Sequence, residues 1–269
     1  VEVNNEIVAL SEREQEEMFR IRLALTDAFR QRADDLGAAL DAAADFDEAG
    51  AKARFARRVD GVAPALTADG RVEFRGARHP LLIPAVRDLI GAGKPTPGVG
   101  FRNPAEHRLP VSVSQSPVNP VATDLVVGPP ARALVISGPN TGGKTVALKA
   151  VGLLALMAQS GLLIPVEAGS SFTPFRSIFA DIGDEQSISA SLSTFSGHIA
   201  TLVATDRALD LPALVLLDEV GGGTDPAEGG ALGAAVIDHF RRRGALVIAT
   251  THDDVLKSYA ATTEGATTA

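Results

Sequence analysis

The chain has 269 residues, 45% of them hydrophobic and 22% charged, which is enough to bury a core in one large domain beside a smaller helical piece. It contains no cysteine, which excludes disulfides, zinc–thiolate sites and thiol nucleophiles, and it has no apolar run of the roughly 18 residues that a membrane span needs. A net charge of −8 argues against a nucleic-acid grip spread over the whole surface, because neutralising phosphates requires clustered Lys and Arg.

The opening stretch VEVNNEIVALSEREQEE is polar and acidic, without the layout of a signal peptide, so a cytoplasmic location without membrane attachment is expected. Residues 1–60 are expected to be helical. Ser11 and Glu14 form a capping-box pattern ahead of apolar Met18, Ile21, Leu25, Phe29, Leu36 and Leu40, a spacing that predicts a helix packed along one face. A second, short helix is expected over 47–59, with Ala51, Phe55 and Val59 at four-residue steps.

Residues 61–269 are expected to form the second domain. From Gly61 to about Val127 glycine and proline are dense, with short extended pieces at 71–74 and 109–113 and a flexible loop at 89–117. From Ala131 onward strands and helices alternate. Strands are predicted at 133–137, 177–180, 213–217 and 245–250, and helices at 143–160, 197–209 and 226–242. Continuous apolar strands alternating with helices indicate an α/β fold with a mostly parallel central sheet.

The strand RALVISG runs straight into GPNTGGKT, which comprises Gly138, Pro139, Asn140, Thr141, Gly142, Gly143, Lys144 and Thr145 and satisfies G-x-x-x-x-G-K-[ST]. Glycines let the backbone wrap close enough for successive N–H groups to face phosphates, and the following helix, with Val146 in its first turn, adds its positive end. Lys144 supplies a charge to the β- and γ-phosphates of ATP, and Thr145 offers a hydroxyl to Mg²⁺. In LVLLDEV, Asp218 ends a buried strand where it can hold Mg²⁺, and Glu219 is the candidate general base for the attacking water. His252 emerges from the next apolar strand as a candidate γ-phosphate sensor. Gln186, beside Glu185, is a further candidate for the Mg²⁺ side.

Two segments exceed what a self-contained kinase or GTPase needs, namely LSTFS, with Ser193 and Thr194, and the turn GGGTDP at 221–226. Hydroxyls and N–H groups at a helix start form a second anion site, and facing a neighbour's nucleotide they would let ATP join two copies. The expected class is therefore a P-loop NTPase of the ABC-ATPase type, preceded by a short all-helical segment and acting as a homodimer.

These residues resemble the MutS family, and its MutS-two branch more closely than the mismatch-repair branch. The likeness rests on GARHPLL, GPNTGGKT with VGLLALMAQSGLLIP, IFADIGDEQSISASLSTFSGH and LLDEVGGGTDPAEG, and it runs from Val1 to about Ser258. It implies that residues 1–60 are part of a helical lever, that Asn140 touches phosphate, that Ser193 reaches the partner's γ-phosphate, and that Val121 packs on adenine. It further implies a dimeric clamp acting on branched DNA to suppress recombination, DNA-holding arms before these residues and a nuclease domain after them. Stalled ribosomes, with contacts to ribosomal RNA, are an alternative target. A Tyr often follows the His in the family, whereas Asp253 follows His252 here. A transporter-type ABC ATPase is a weaker alternative, since LSTF departs from the Leu-Ser-Gly-Gly-Gln signature. A small-molecule kinase is weaker still, since no lid or basic clamp follows the P-loop.

Overall fold

A computed structural model describes residues 2–91, 120–139, 142–183, 191–222 and 225–269, and the chain separates into two compact units, Val1–Ala53 and Arg54–Ala269. The first unit consists of helix α1 (Glu2–Gln31) and the greater part of α2 (Ala33–Val59). Helical bonding continues through their junction. The Arg32 N–H donates to the Phe29 carbonyl at 3.1 Å, and the Arg32 carbonyl accepts from the Leu36 N–H at 2.9 Å.

Three expectations are corrected here. Ser11 and Glu14 lie within α1 and cap nothing, because the helix begins nine residues earlier, at Glu2. No separate helix starts near Asp47, since α2 runs unbroken from Ala33 through an alanine-rich stretch of high helix propensity. The apolar series from Met18 to Leu40 is exposed rather than packed.

The second unit is a mixed α/β body. Strands β1 (Ala65–Leu66), β2 (Val72–Ala77), β3 (Thr123–Val127) and β5 (Ser171–Phe172) form a four-stranded sheet in the order β1-β5-β2-β3, with β2 antiparallel to both neighbours. Pro80–Leu82 makes one 3₁₀ turn, followed by α3 (Pro84–Gly91), which overlaps the start of the predicted 89–117 loop. The rest of that loop and the predicted 109–113 strand lie outside the described residues.

The central sheet contains β4 (Ala133–Ser137), β6 (Ser177–Asp181), β7 (Ala213–Leu217), β8 (Leu246–Thr251) and β9 (Ala266–Thr268), in the order β6-β7-β8-β4-β9, with every pairing parallel. Its helices are α4 (Lys144–Gln159), α5 (Ser191–Ala208), α6 (Pro226–Arg242) and α7 (Asp254–Thr262). The two-residue period of a strand explains why its sequences are apolar throughout. Leu134, Leu214, Leu216, Leu246 and Ile248 enter one core with α4 and the small sheet, while Ala133, Val135, Ala213, Val215, Leu217, Val247 and Ala249 enter the other with α6 and α7. Helix α4 lies so close to the sheet that a Cβ at Gly152 would sit 2.5 Å from Leu216 Cδ1.

Bounds also moved. Helix α5 begins at Ser191, six residues before the expected start, so the hydroxyl-rich LSTFS lies in its first turns rather than in a preceding loop. Strand β8 ends at Thr251, one residue later than expected, because its parallel pairing to β4 extends to Ser137↔Thr251. Among the described residues, no helix is long and apolar enough to cross a membrane.

Candidate active site

In a parallel sheet, ligands gather at the carboxyl ends of the strands, where loops leave and helix N-termini point inward. Strand β4 ends at Ser137 and passes through Gly138, whose φ of +140° suits a residue without a side chain. The Gly142 N–H then donates to the Pro139 carbonyl at 2.9 Å, and Gly143, with φ +79°, stands at the N-cap of α4. Asn140 and Thr141 lie outside the described residues. Lys144 opens the helix and is only 5% exposed. Its ammonium donates to the Gly138 carbonyl and, at 3.1 Å, to the Thr251 carbonyl. Among the described residues no carboxylate pairs with this buried cation, so the site holds a desolvated positive charge with neutral partners only.

Strand order determines what surrounds that charge. Strand β8 separates β4 from β7, so its end lies between the P-loop and the acidic pair. Leu217 registers with Ala249, which puts Asp218 and Thr250, the residues following each, side by side. Thr250 is fully buried. Its hydroxyl donates to Asp218 Oδ1 at 2.5 Å and accepts the Glu219 N–H at 2.9 Å. From the other side Thr145 Oγ1 donates to the same Asp218 oxygen at 3.1 Å. The Asp218 N–H donates to the Asp181 carbonyl at 2.9 Å, fixing the backbone as β7 ends.

Glu219 adopts φ +48°, a left-handed conformation that costs a non-glycine residue about 1–3 kcal/mol and clusters at functional positions. The turn is closed by the Gly222 N–H donating to the Glu219 carbonyl at 2.9 Å. Only glycine fits at 221, because a Cβ there would come within 2.1 Å of the Gly229 carbonyl oxygen. The Glu219 carboxylate Oε1 lies 3.9 Å from His252 Nδ1, too far for a hydrogen bond. The His252 side chain is 65% exposed. Asp253, where a Tyr was expected from the resemblance, caps α7 by accepting the Val255 N–H at 2.7 Å.

The structure thus brings together Gly138, Gly142, Gly143, Lys144, Thr145, Asp218, Glu219 and His252. Val121 and Val146 lie apart, in an apolar cavity of about 360 Å³ that adjoins Gly142 and Gly143. Gln186 is outside the described residues, as are Gly223 and Thr224 of the glycine turn and the side chains of Ser193 and Thr194. Three participants were not anticipated. Thr250 and the Thr251 carbonyl looked like ordinary strand residues, although a threonine pair ending an apolar strand before a histidine was a usable sign. The third is His198 on α5, whose Nδ1 lies 2.8 Å from Asp181 Oδ2 at the end of β6.

Residues 134–268 match the family described as MutS domain V. Among curated proteins, "Endonuclease MutS2" of Halothermothrix orenii is 41% identical over 265 residues, covering 98% of this chain and 29% of the relative. The protein of the same name from Shouchella clausii is 41% identical over 266 residues, 99% of this chain and 30% of the relative. That from Geobacillus thermodenitrificans is 43% identical over 259 residues, 96% and 29% respectively. The chain therefore spans under a third of the length of these relatives.

Proposed function

The chain belongs to the MutS family, and on that premise we propose that it is an ABC-type ATPase domain that binds Mg²⁺-ATP and hydrolyses it between two copies of itself. The observation that carries the reading is the buried Lys144 ammonium, pointed at carbonyls and with no carboxylate partner among the described residues, beside a Thr145–Asp218 pair at the sheet's carboxyl edge. A desolvated cation of this kind gains most from an anion brought to it. The placement of β8 between the strands bearing the P-loop and the acids supports the ABC-type assignment.

The Gly138–Thr145 loop holds the triphosphate through backbone N–H groups, with Lys144 neutralising the β- and γ-phosphates. Thr145 and Asp218 are suited to hold Mg²⁺, a hard cation that takes oxygen ligands and, when bound, offsets charge on the phosphates. Glu219, turned out of the strand by its positive φ, accepts a proton from the attacking water. His252, at 3.9 Å from Glu219, senses the γ-phosphate. Ser193 and Thr194, in the first turn of α5, reach the nucleotide of the second copy. Gln186 completes the Mg²⁺ side. Extended to the whole protein, which is some three times longer than this chain in its relatives, the ATP cycle drives a cytoplasmic dimeric clamp on branched DNA that suppresses recombination. The endonuclease activity named for the relatives belongs to segments beyond these residues.

Measuring phosphate release and nucleotide binding for Glu219→Gln tests the chemistry. The variant should keep its affinity for Mg²⁺-ATP and turn it over at least about a hundredfold more slowly, the range expected for loss of a general base. Unchanged turnover would remove Glu219 from that role.

A further inference from the structure

The bond between His198 on α5 and Asp181 at the end of β6 has no part in the chemistry proposed above, yet it leads to the acids through the backbone. The imidazole Nδ1 stands 2.8 Å from Asp181 Oδ2, and since a carboxylate offers only acceptors, the ring nitrogen donates. The two side chains are 29% and 20% exposed, so the bond is partly shielded from water. The Asp181 carbonyl in turn accepts the Asp218 N–H at 2.9 Å. Imidazole, Asp181 and the Asp218 peptide thus form a continuous path from α5 to the acid that faces Thr145.

The end of β6 is where such a tie matters. Among the described residues β6 is the outer strand of its sheet, and Asp181, in register with Leu217, is its last residue. An edge strand is bonded on one side only, so its end depends on what else holds it. The chain leaves through Gly183, where a Cβ would stand 3.6 Å from His198 Cε1, so the ring also lies against the turn that follows the strand. Between α5 and the acid turn there is a cavity of about 30 Å³, walled by His198, Leu202, Val236, Asp218, Glu219 and Gly222. That is the space of about one water molecule, so close packing alone does not fix the turn. Its hydrogen bonds do, from the Thr250 hydroxyl on β8 and the Asp181 carbonyl on β6.

We propose that His198 is a positioning residue for hydrolysis. By holding Asp181 it fixes the end of β6, and with it the backbone of Asp218 and the start of the Glu219 turn, relative to the phosphate loop. A general base displaced by a fraction of an ångström loses much of its effect while the phosphates stay bound, so the contribution falls on turnover. Helix α5 also begins with the hydroxyls offered to the second copy, so the same bond ties that helix to the acids of its own chain. This inference rests on the ATP-hydrolysis reading and adds to it a residue that touches neither nucleotide nor metal.

Phosphate release, together with calorimetric binding of a non-hydrolysable ATP analogue, tests it in the wild type, His198→Phe, His198→Asn, Asp181→Ala and the double variant His198→Phe/Asp181→Ala. His198→Phe, which keeps a ring but loses the donor, should lower kcat at least about tenfold, the scale of one charge-assisted hydrogen bond, with analogue affinity within about twofold of the wild type. His198→Asn, whose amide N–H can stand where Nδ1 does, should recover most of the rate. The double variant should be no slower than the slower single one, as expected of two residues acting as a unit. If His198→Phe does not fold, Asp181→Ala takes its place with the same expected split between rate and affinity. Unchanged kcat, an affinity that falls in step with kcat, an asparagine variant as slow as the phenylalanine one, or additive losses in the double variant each overturn the role of His198 and leave the ATPase reading standing. A wild type that binds the analogue but releases no phosphate from ATP overturns the hydrolysis reading and this inference with it.

Discussion

Thr250 shows how one side chain holds the two acids in different roles. Its hydroxyl donates to Asp218 and accepts from the Glu219 N–H, so Asp218 is held against Thr145 while the backbone of Glu219 is anchored at the point where φ turns positive. Thr250→Val preserves the shape but leaves the Glu219 N–H without its acceptor in a part-buried position. The variant should unfold about 1–3 kcal/mol more easily in denaturant titrations, the cost of one unsatisfied buried group. Its ATP turnover should fall by a larger factor than its nucleotide affinity, since the residue touches the acids and not the phosphate loop. A loss of affinity equal to the loss of turnover would show instead that the whole strand end has collapsed. The acids, the lysine and the threonine of the P-loop were legible in the sequence because each sits in a motif whose spacing follows from its chemistry. Thr250 was not, because its importance comes from register across β7, β8 and β4, a relation that is not local in the chain.

Among the elements, three were legible to the residue. Strands β4 and β7 and helix α6 have the bounds that their apolar runs and flanking turns predict. The two-residue strands β1 and β5 were not, since they exist only through pairing with each other and with β2, and a two-residue run has no period to detect. The Ser11–Glu14 box misled in the other direction. Its residues are those of a helix start, but the chain before them is an equally good helix former and the helix continues through it. In α5, the serines and threonines of LSTFS weaken the helical signal by competing for backbone bonds, yet the helix begins there. That start places Ser193 in the first turn of α5. Ser193→Ala should weaken dimerisation induced by a non-hydrolysable ATP analogue, measured by sedimentation, at least about tenfold more than it weakens nucleotide binding. Equal losses in both would confine the helix start to a role within one chain.

For the molecule as a whole, the all-parallel order β6-β7-β8-β4-β9 accounts for the site. It collects the phosphate loop, the acids and the histidine strand on one edge, with α4 packed through Gly152 against Leu216 to hold the loop in place. The net charge of −8 makes the burial of one unpaired cation at that edge more telling, because carboxylates are plentiful and none has been placed beside it among the described residues. The alternation of strands and helices made this layer order foreseeable in outline, whereas the small sheet beside it depends on long-range pairing between β2, β3 and β5. The account stands on Lys144 meeting a triphosphate, and calorimetric titration of Mg²⁺-ATP into the wild type and Lys144→Ala addresses that most directly. Saturable binding by the wild type, weakened at least about a hundredfold in Lys144→Ala, is the predicted result, equivalent to roughly 2.7 kcal/mol. Equal affinity in the two proteins would contradict it.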